Sequence, residues 1–221
     1  MIFADLLEVL DPDPHPAAVN MAIDEVLLRE AAGPVLRIYR WIRPSISLGY
    51  FGKIVEAERT WPGRDCVRRW TGGGIVPHGE DLTYTLVVPR NCEFFQLTAL
   101  ESYSRIHEAV ASALRNSSNE IRLAPQAAPK ISNACFENPA FADILAGDRK
   151  VAGAAQRRTR HGLLHQGSIQ TNGCERERLA ECLGSVFSAR VHQRSVTERE
   201  ISAAARLEEE KYGREEWLRR Y

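Results

Sequence analysis

The chain has no net charge, because 29 basic and 29 acidic side chains cancel over its 221 residues. It therefore lacks the basic footprint of a nucleic-acid-binding domain, and no nucleic-acid partner is expected. Long apolar runs are missing too. Stretches such as Leu86 to Val88 fall far short of the roughly 20 residues that a membrane span needs, and no basic start followed by an apolar core marks the N-terminus for export. The expectation is a cytoplasmic protein with no membrane partner. The five cysteines, at 66, 92, 135, 174 and 182, make no Cys-x-x-Cys pair and have no histidines at zinc-ligand spacing. No metal is expected, and an odd cysteine count argues against a disulfide framework.

With 44% hydrophobic and 26% charged residues, the composition is that of an ordinary globular domain with one sizeable core. Val19, Ala22, Ile23, Val26 and Leu27 recur at helical spacing, which predicts a helix over 17–31 closed by Gly33-Pro34. Short strands are expected at 35–39, 45–50 and 66–70. Leu82, Tyr84, Leu86 and Val88 alternate with Thr83, Thr85 and Val87, the period of a strand, which ends at Pro89. A second helix, about 98–116, places Leu100, Tyr103, Ile106, Val110 and Leu114 on one face. Residues 124–140 carry no periodicity and read as a long surface loop containing Cys135; such loops are often functional. A hairpin turning at Gly147-Asp148, a strand over 163–169 and a helix over 175–183 follow. The last 27 residues carry two overlapping capping boxes, Ser195 with Glu198 and Thr197 with Glu200, before a charged helix containing Glu208 to Lys211. The class is α+β, with strands outnumbering long helices.

The densest feature is Arg68-Arg69-Trp70-Thr71-Gly72-Gly73-Gly74-Ile75-Val76-Pro77-His78. Three consecutive glycines let a ligand lie on main-chain N–H groups, and the two arginines supply charge for a phosphate or carboxylate; the plain alternative is a flexible turn. The segment matches neither Gly-x-Gly-x-x-Gly nor the Walker pattern, and Gly49-Tyr50-Phe51-Gly52-Lys53 fails as a P-loop because Ile54 stands where Ser or Thr would hold magnesium. The second feature runs from Gly147 to Arg158 around Lys150. A lysine at a strand start is ordinarily a solvated edge charge. Here the small residues at 152–155 leave room for another backbone or an acyl chain beside it. His165-Gln166-Gly167 on the next strand can line the same pocket, although a lone histidine in a strand more often serves packing.

Taken together and in this order, the two segments resemble the family of lipoate-protein ligases, lipoyl and octanoyl transferases and biotin-protein ligases. The pattern Arg-Arg-x-Thr-Gly-Gly-Gly-x-Val-x-His, a Leu-Thr-Tyr-Thr strand, the Lys150 strand with Gly153 and Gln156, and a His165-x-Gly167-Ser-Ile strand extend over residues 68–169, and the helix with Asn20, Met21, Asp24 and Glu25 resembles that family's opening helix. The resemblance implies a mixed central β-sheet flanked by helices, like a biotin/lipoate ligase catalytic domain. It also implies a catalytic domain over residues 1–185, with 186–221 as a C-terminal helical extension of that domain. Ala134-Cys135-Phe136-Glu137 resembles the cysteine segment of the octanoyltransferase branch that otherwise looks like a ligase.

Within such a family the implied activity is transfer of an octanoyl or lipoyl group from acyl carrier protein or a lipoylated donor to a lysine of a lipoyl domain. The acceptor would be a 2-oxoacid dehydrogenase subunit or a glycine-cleavage H protein. A thioester exchanges with a thiol and reacts with an amine, so Cys135 can carry the acyl group without ATP or any other cofactor. Lys150 would lower the thiol pKa and polarise the carbonyl. The resemblance assigns Arg69, Thr71, Gly72, Gly73, Gly74, His78, Gly153, Gln156, His165 and Gly167 to substrate binding. Tunnel walls are expected near Val76, Tyr84, Val151 and Ile169. The alternatives are an ATP- and magnesium-dependent lipoate-protein ligase, in which Cys135 is incidental, a lipoyl-domain-binding protein without turnover, and, more distantly, a biotin ligase. Only about 36 residues follow 185, fewer than the accessory domain of many such ligases needs, which leans toward the transferase. Ala154, Gln166 and Pro77 depart from the residues common in relatives. Arg157, Arg158 and Arg160 are expected either to steer an acidic partner or to form a solvated face.

Overall fold

The computed structural model describes residues 1–115, 120–129, 135–171 and 173–221, the side chains of Cys135 and Cys174 excepted. Among the described residues, eight strands form one mixed sheet in the order β11-β1-β2-β6-β10-β9-β8-β7. These are β1 (Leu6–Leu10), β2 (Val35–Tyr39), β6 (Leu82–Pro89), β7 (Ile121–Leu123), β8 (Ile144–Ala146), β9 (Arg149–Arg158), β10 (Gly162–Ile169) and β11 (Val191–Ser195). A small sheet in the order β4-β3-β5 is made of β3 (Ser45–Leu48), β4 (Asp65–Arg68) and β5 (Ile75–His78). The helices are α1 (Ala17–Glu30), α2 (Ile54–Thr60), α3 (Ala99–Arg115), α4 (Gly173–Phe187), α5 (Glu198–Leu207) and α6 (Glu215–Leu218). No helix among the described residues is long and apolar enough to cross a membrane.

Alternation along the central strands sends side chains to two cores. On one face Leu86, Val88, Leu163 and Ile169 pack with Ile106, Val110 and Leu114 of α3 and with Leu179, Leu183 and Phe187 of α4. On the other face Val87 and Leu164 pack with Met21, Ile23 and Leu27 of α1 and with Ala204 and Leu207 of α5. Every residue of β6 and β10 is buried, as expected for central strands covered on both sides. The polar-out face that alternation alone predicts for Thr83 and Thr85 is therefore an interior one. Leu100, expected on the packed face of α3, is exposed, because the helix enters the core only from its second turn.

Three strands escape the periodicity reading. β7 has three residues, β11 (Val-His-Gln-Arg-Ser) is a polar edge strand, and β1 takes its place through parallel pairing with both β2 and β11. The segment from 186 onward is thus not wholly helical. Of the two possible capping boxes, Thr197 with Glu200 is the one that forms. The charged run at 208–212 makes a π-turn after α5, and its Lys211 and Tyr212 both reach the buried carboxylate of Glu25.

Candidate active site

Strand register builds a trough. Tyr39 lies opposite Thr83, Thr83 opposite Ser168, and Ser168 opposite Gly153. Directly paired residues point to the same face, so these four form one row across β2, β6, β10 and β9. All four line an inner cavity of about 470 Å3, counted out to bulk solvent. With neighbouring strands about 4.8 Å apart, the three gaps of this row span about 14 Å. Ser47, Arg69, Val76 and His78, from the small sheet and the loop after β4, line the same cavity, as do Trp41 just beyond β2, Lys150 of β9 and Phe136 from the turn packed on it.

Polar residues line much of the trough, yet their polar groups are occupied with one another. Arg69 donates to the Ser47 oxygen at 2.6 Å, Ser47 meets His78 Nε2 at 2.6 Å, and His78 Nδ1 meets Asp81 at 2.9 Å. Asp81 also accepts from Thr83 (2.9 Å), Ser168 (2.6 Å) and the Gly79 N–H (3.1 Å). Burial by itself would raise the Asp81 pKa. The His78 charge and the bonds from His78, Ser168 and Gly79 outweigh burial and hold it at about 2. This relay ties β3 and β5 to β6 and β10, fixing the small sheet over the large one. Gln166 donates to Asp24 at 2.7 Å and accepts from Thr71 at 2.8 Å. Asp24 in turn accepts from Thr85 and from the wholly buried Arg37, which also binds Asp11 and Asn20. Among the described residues, no side-chain atom lining the trough is both buried and without a partner. Such a space favours an apolar guest, since a polar one would find few free partners.

Lys150 is 8% exposed, not a solvated edge charge. Its ammonium lies 2.7 Å from Asp143, which also accepts from the Tyr103 hydroxyl (2.5 Å) and the Ala140 N–H (2.6 Å). The lysine folds back over Gly153: a Cβ there would stand 2.5 Å from its Cε and 2.7 Å from its Nζ. Any larger residue at 153 would displace the cation. The Phe136 ring stacks 5.4 Å from the same Nζ. Lys150 borders both the inner trough and an outer cleft of about 1120 Å3, lined also by Lys53, Gly73, Gly74, Asn138 and Asp143, so its ammonium stands at their junction. Behind it, burial pushes the His107 pKa down to about 4, against the opposing pull of the Asp143 charge.

The glycine loop is held from behind. Arg69 donates to the carbonyls of Gly72 and Gly74, and Gly49 approaches so closely that a Cβ there would lie 2.0 Å from the Gly73 oxygen. Arg68, wholly buried, donates to carbonyls of Gly49, Tyr50, Gly52, Trp217 and Leu218. Both arginines thus hold main-chain oxygens of the loop and its neighbours, and Arg69 a serine oxygen as well. Arg157 and Arg158 are likewise engaged, with carbonyls of Trp70, Phe95 and Leu97, while Arg160 is exposed.

Of the residues singled out in the sequence, Arg69, His78, Lys150, Gly153 and Gly167 meet at the inner trough, and Gly73 and Gly74 at the outer cleft. Thr71 lies behind Gln166, and Gly72 borders neither space. His165 and Gln156 do not line the trough. One residue of offset on β10 and β9 turns them to the α3 face, where they bond each other, Tyr84 and Ser102, and burial drives the His165 pKa well below its usual value. Val76 lines the trough as expected, but Tyr84, Val151 and Ile169 belong to the α3 core. Gly167 borders the trough by its backbone, and a Cβ there would strike the Tyr84 ring at 2.3 Å. Cys135 begins the 3-10 turn Cys135–Glu137, packed on β9 and β5; its side chain lies outside the described residues. Asp143, Phe136, Tyr39, Trp41 and Ser47 went unread. Only Asp143, a lone acid inside Phe141-Ala142-Asp143-Ile144-Leu145, left a sequence signal.

The profile of the lipoyl protein ligase A/B catalytic domain matches residues 16–211. Among curated proteins, the octanoyltransferase LipM of Oceanobacillus iheyensis is 38% identical over 170 residues, 72% of this chain and 62% of that protein. The octanoyltransferase LipM of Carboxydothermus hydrogenoformans is 41% identical over 161 residues, 69% of this chain and 60% of that one. The matches thus span about 60% of the length of these relatives. Among solved structures, a T. acidophilum protein with bound lipoic acid superposes with a TM-score of 0.77 at 23% identity, covering 99% of this chain and 100% of that one, which establishes the fold.

Proposed function

Because this chain belongs to the lipoyl protein ligase A/B catalytic domain family, we propose that it transfers an octanoyl group from a carrier thioester to the ε-amino group of a lysine in a lipoyl domain, through a thioester on Cys135. The observation that carries this reading is the position of Lys150, a buried cation where a trough whose polar groups are paired among themselves meets an open cleft. The acyl chain lies in the trough, where each buried methylene contributes about 0.8 kcal/mol. Its carbonyl then falls at the junction, within reach of the ammonium. A phosphopantetheine arm and, later, the acceptor lysine enter by the outer cleft. The likeness to LipM octanoyltransferases supports octanoyl as the group, and acyl carrier protein is the donor whose thioester chemistry suits it.

The Cys135 thiolate attacks the carrier thioester, the carrier thiol leaves, and the acceptor amine then attacks the Cys135 thioester to give an amide. The amine's proton returns to the cysteine sulfur. Lys150 stabilises the oxyanion in both steps, and Asp143, Gly153 and Phe136 keep its ammonium in place. Phe136 supports the role of its neighbour, since it stands over Lys150 and borders the trough.

The outer cleft, with Lys53 and the Gly73-Gly74 backbone, is also roomy enough for a nucleotide, which keeps the ligase reading as the rival. Incubating the protein with octanoyl-acyl carrier protein and an apo lipoyl domain without ATP tests the choice. Octanoylation of the domain is expected. Modification only with free lipoate and magnesium-ATP, surviving Cys135→Ser, would establish the ligase instead.

A further inference from the structure

Tyr103 belongs by its spacing to the apolar stripe of α3, yet its hydroxyl is tied to the site. β8 pairs with β9 only as far as Ala152, and two residues on, the Ala154 N–H donates to the Tyr103 oxygen at 3.1 Å in place of a strand partner. The hydroxyl in turn donates to Asp143 Oδ1 at 2.5 Å. The other carboxylate oxygen, Oδ2, accepts from the Ala140 N–H at 2.6 Å and meets the Lys150 ammonium at 2.7 Å. Burial and the Asp143 charge push the Tyr103 pKa well above its usual value, so the hydroxyl keeps its proton and stays a donor. Its ring lies on His107, 4.0 Å between centroids, and the His107 Nδ1–H donates to the Ala142 carbonyl at 2.7 Å. Ala142 is the one non-glycine among the described residues with a left-handed backbone, at φ 63°. Two side chains of α3 thus grip both a strained residue and the carboxylate that follows it.

We propose that Tyr103 is a positioning residue for acyl transfer: its hydroxyl fixes the Asp143 carboxylate and, through it, the place of the Lys150 ammonium at the junction of trough and cleft. The inference rests on the acyl-transfer reading of that junction. A carboxylate turns about its Cβ–Cγ bond unless each oxygen has a donor of its own. Here Oδ1 is bound to α3 and Oδ2 to the chain at Ala140, so two separate elements set the edge that meets Lys150. Lysine is a point charge on a flexible stem, and it stabilises an oxyanion only by standing where that charge develops. Packing does not call for the hydroxyl, since a phenylalanine would keep the ring on His107. What it would lose is the bond to Oδ1 and the bond from Ala154.

The test is a double-substitution cycle on wild type, Tyr103→Phe, Asp143→Asn and the protein carrying both. It reads the rate at which octanoyl-acyl carrier protein acylates Cys135, by intact mass, beside thermal-shift titration with octanoate and the rate at which acetic anhydride labels the Lys150 amine. Tyr103→Phe is expected to slow acylation ~10-fold, the scale of one hydrogen bond to a charged group, with octanoate binding within about twofold of wild type. In the Asp143→Asn background the same substitution should slow it less than about twofold further, because the carboxylate through which the hydroxyl acts is gone. Labelling of Lys150 should quicken in the same pattern. An acylation rate within about twofold of wild type in Tyr103→Phe, or an equal loss in both backgrounds, would overturn the proposal. So would unprotected hydrogen exchange at the Ala154 amide of the wild type, a readout that survives if the variants do not fold. A wild type that no donor acylates would retire the transferase, and the labelling cycle would then decide alone whether Tyr103 holds Lys150 through Asp143.

Discussion

On the α3 face of the large sheet, Leu86, Val88, Leu163 and Ile169 meet Ile106, Val110 and Leu114; on the α1 face the same strands carry Thr85, Gln166 and Ser168 toward Asp24, Arg37 and Asp81. The first face is a core that any mixed sheet under helices needs. The second buries a guanidinium and carboxylates whose mutual attraction is largely offset by desolvation, so stability alone does not call for them. They fasten α1 to the sheet and, through Gln166 and Thr71, to the glycine loop. Function is built where the fold accepts the cost of buried polarity.

The sharpest way to break this contrast is at the junction. Lys150→Ala should lower kcat/KM for octanoyl transfer by about 10³-fold, the scale of losing an oxyanion partner, while thermal-shift titration still shows octanoate binding. Loss of binding as well would move the acyl site elsewhere. On the same face but away from the junction, Asp24→Ala should destabilise by about 4 kcal/mol, because it leaves Arg37 short of a charge partner and Gln166 and Thr85 without an acceptor. Its transfer rate per folded molecule should also fall as the glycine loop loosens. Ile106→Ala, on the opposite face, should cost about 3 kcal/mol in denaturant unfolding with that rate unchanged. Equal effects on rate from both substitutions would erase the difference between the faces.

Acid separates the faces in a graded way. His107 has a folded pKa of about 4, below its ordinary 6.5. The fold favours the neutral ring, so this stability is present above pH 6.5 and is lost as pH falls toward 4, by about 3 kcal/mol. Asp81, held at about 2 against an ordinary 3.8, loses its contribution of about 2 kcal/mol only as pH falls through that lower window. His107→Asn, which can keep a donor toward the Ala142 carbonyl, should flatten the upper part of the acid limb in a pH series of unfolding curves and leave the lower part. The smallest effect is expected at the surface. Arg160→Ser should change kcat/KM and its salt dependence less than threefold, since an exposed side chain gives only screened steering.

Much of the fold was legible because β6, α1 and α3 carry hydrophobic periods, while β1, β7 and β11 exist through pairing that no local pattern records. In the site, Lys150 and the glycine run stood out as local motifs. Tyr39, Trp41, Ser47 and Asp143 did not, because they join the trough through register between strands distant in sequence. His165 was misplaced for a related reason: on a strand covered on both faces, a motif says that a residue is near the site but not which way it points.

The central claim is that an acyl group rests in the trough below Lys150 and is carried by Cys135. Intact-protein mass spectrometry after incubation with octanoyl-acyl carrier protein, without ATP, tests it most directly. A single octanoyl adduct, removed by hydroxylamine and absent from Cys135→Ser, is the predicted result. An unmodified wild type, or an equal adduct on both proteins, would contradict it.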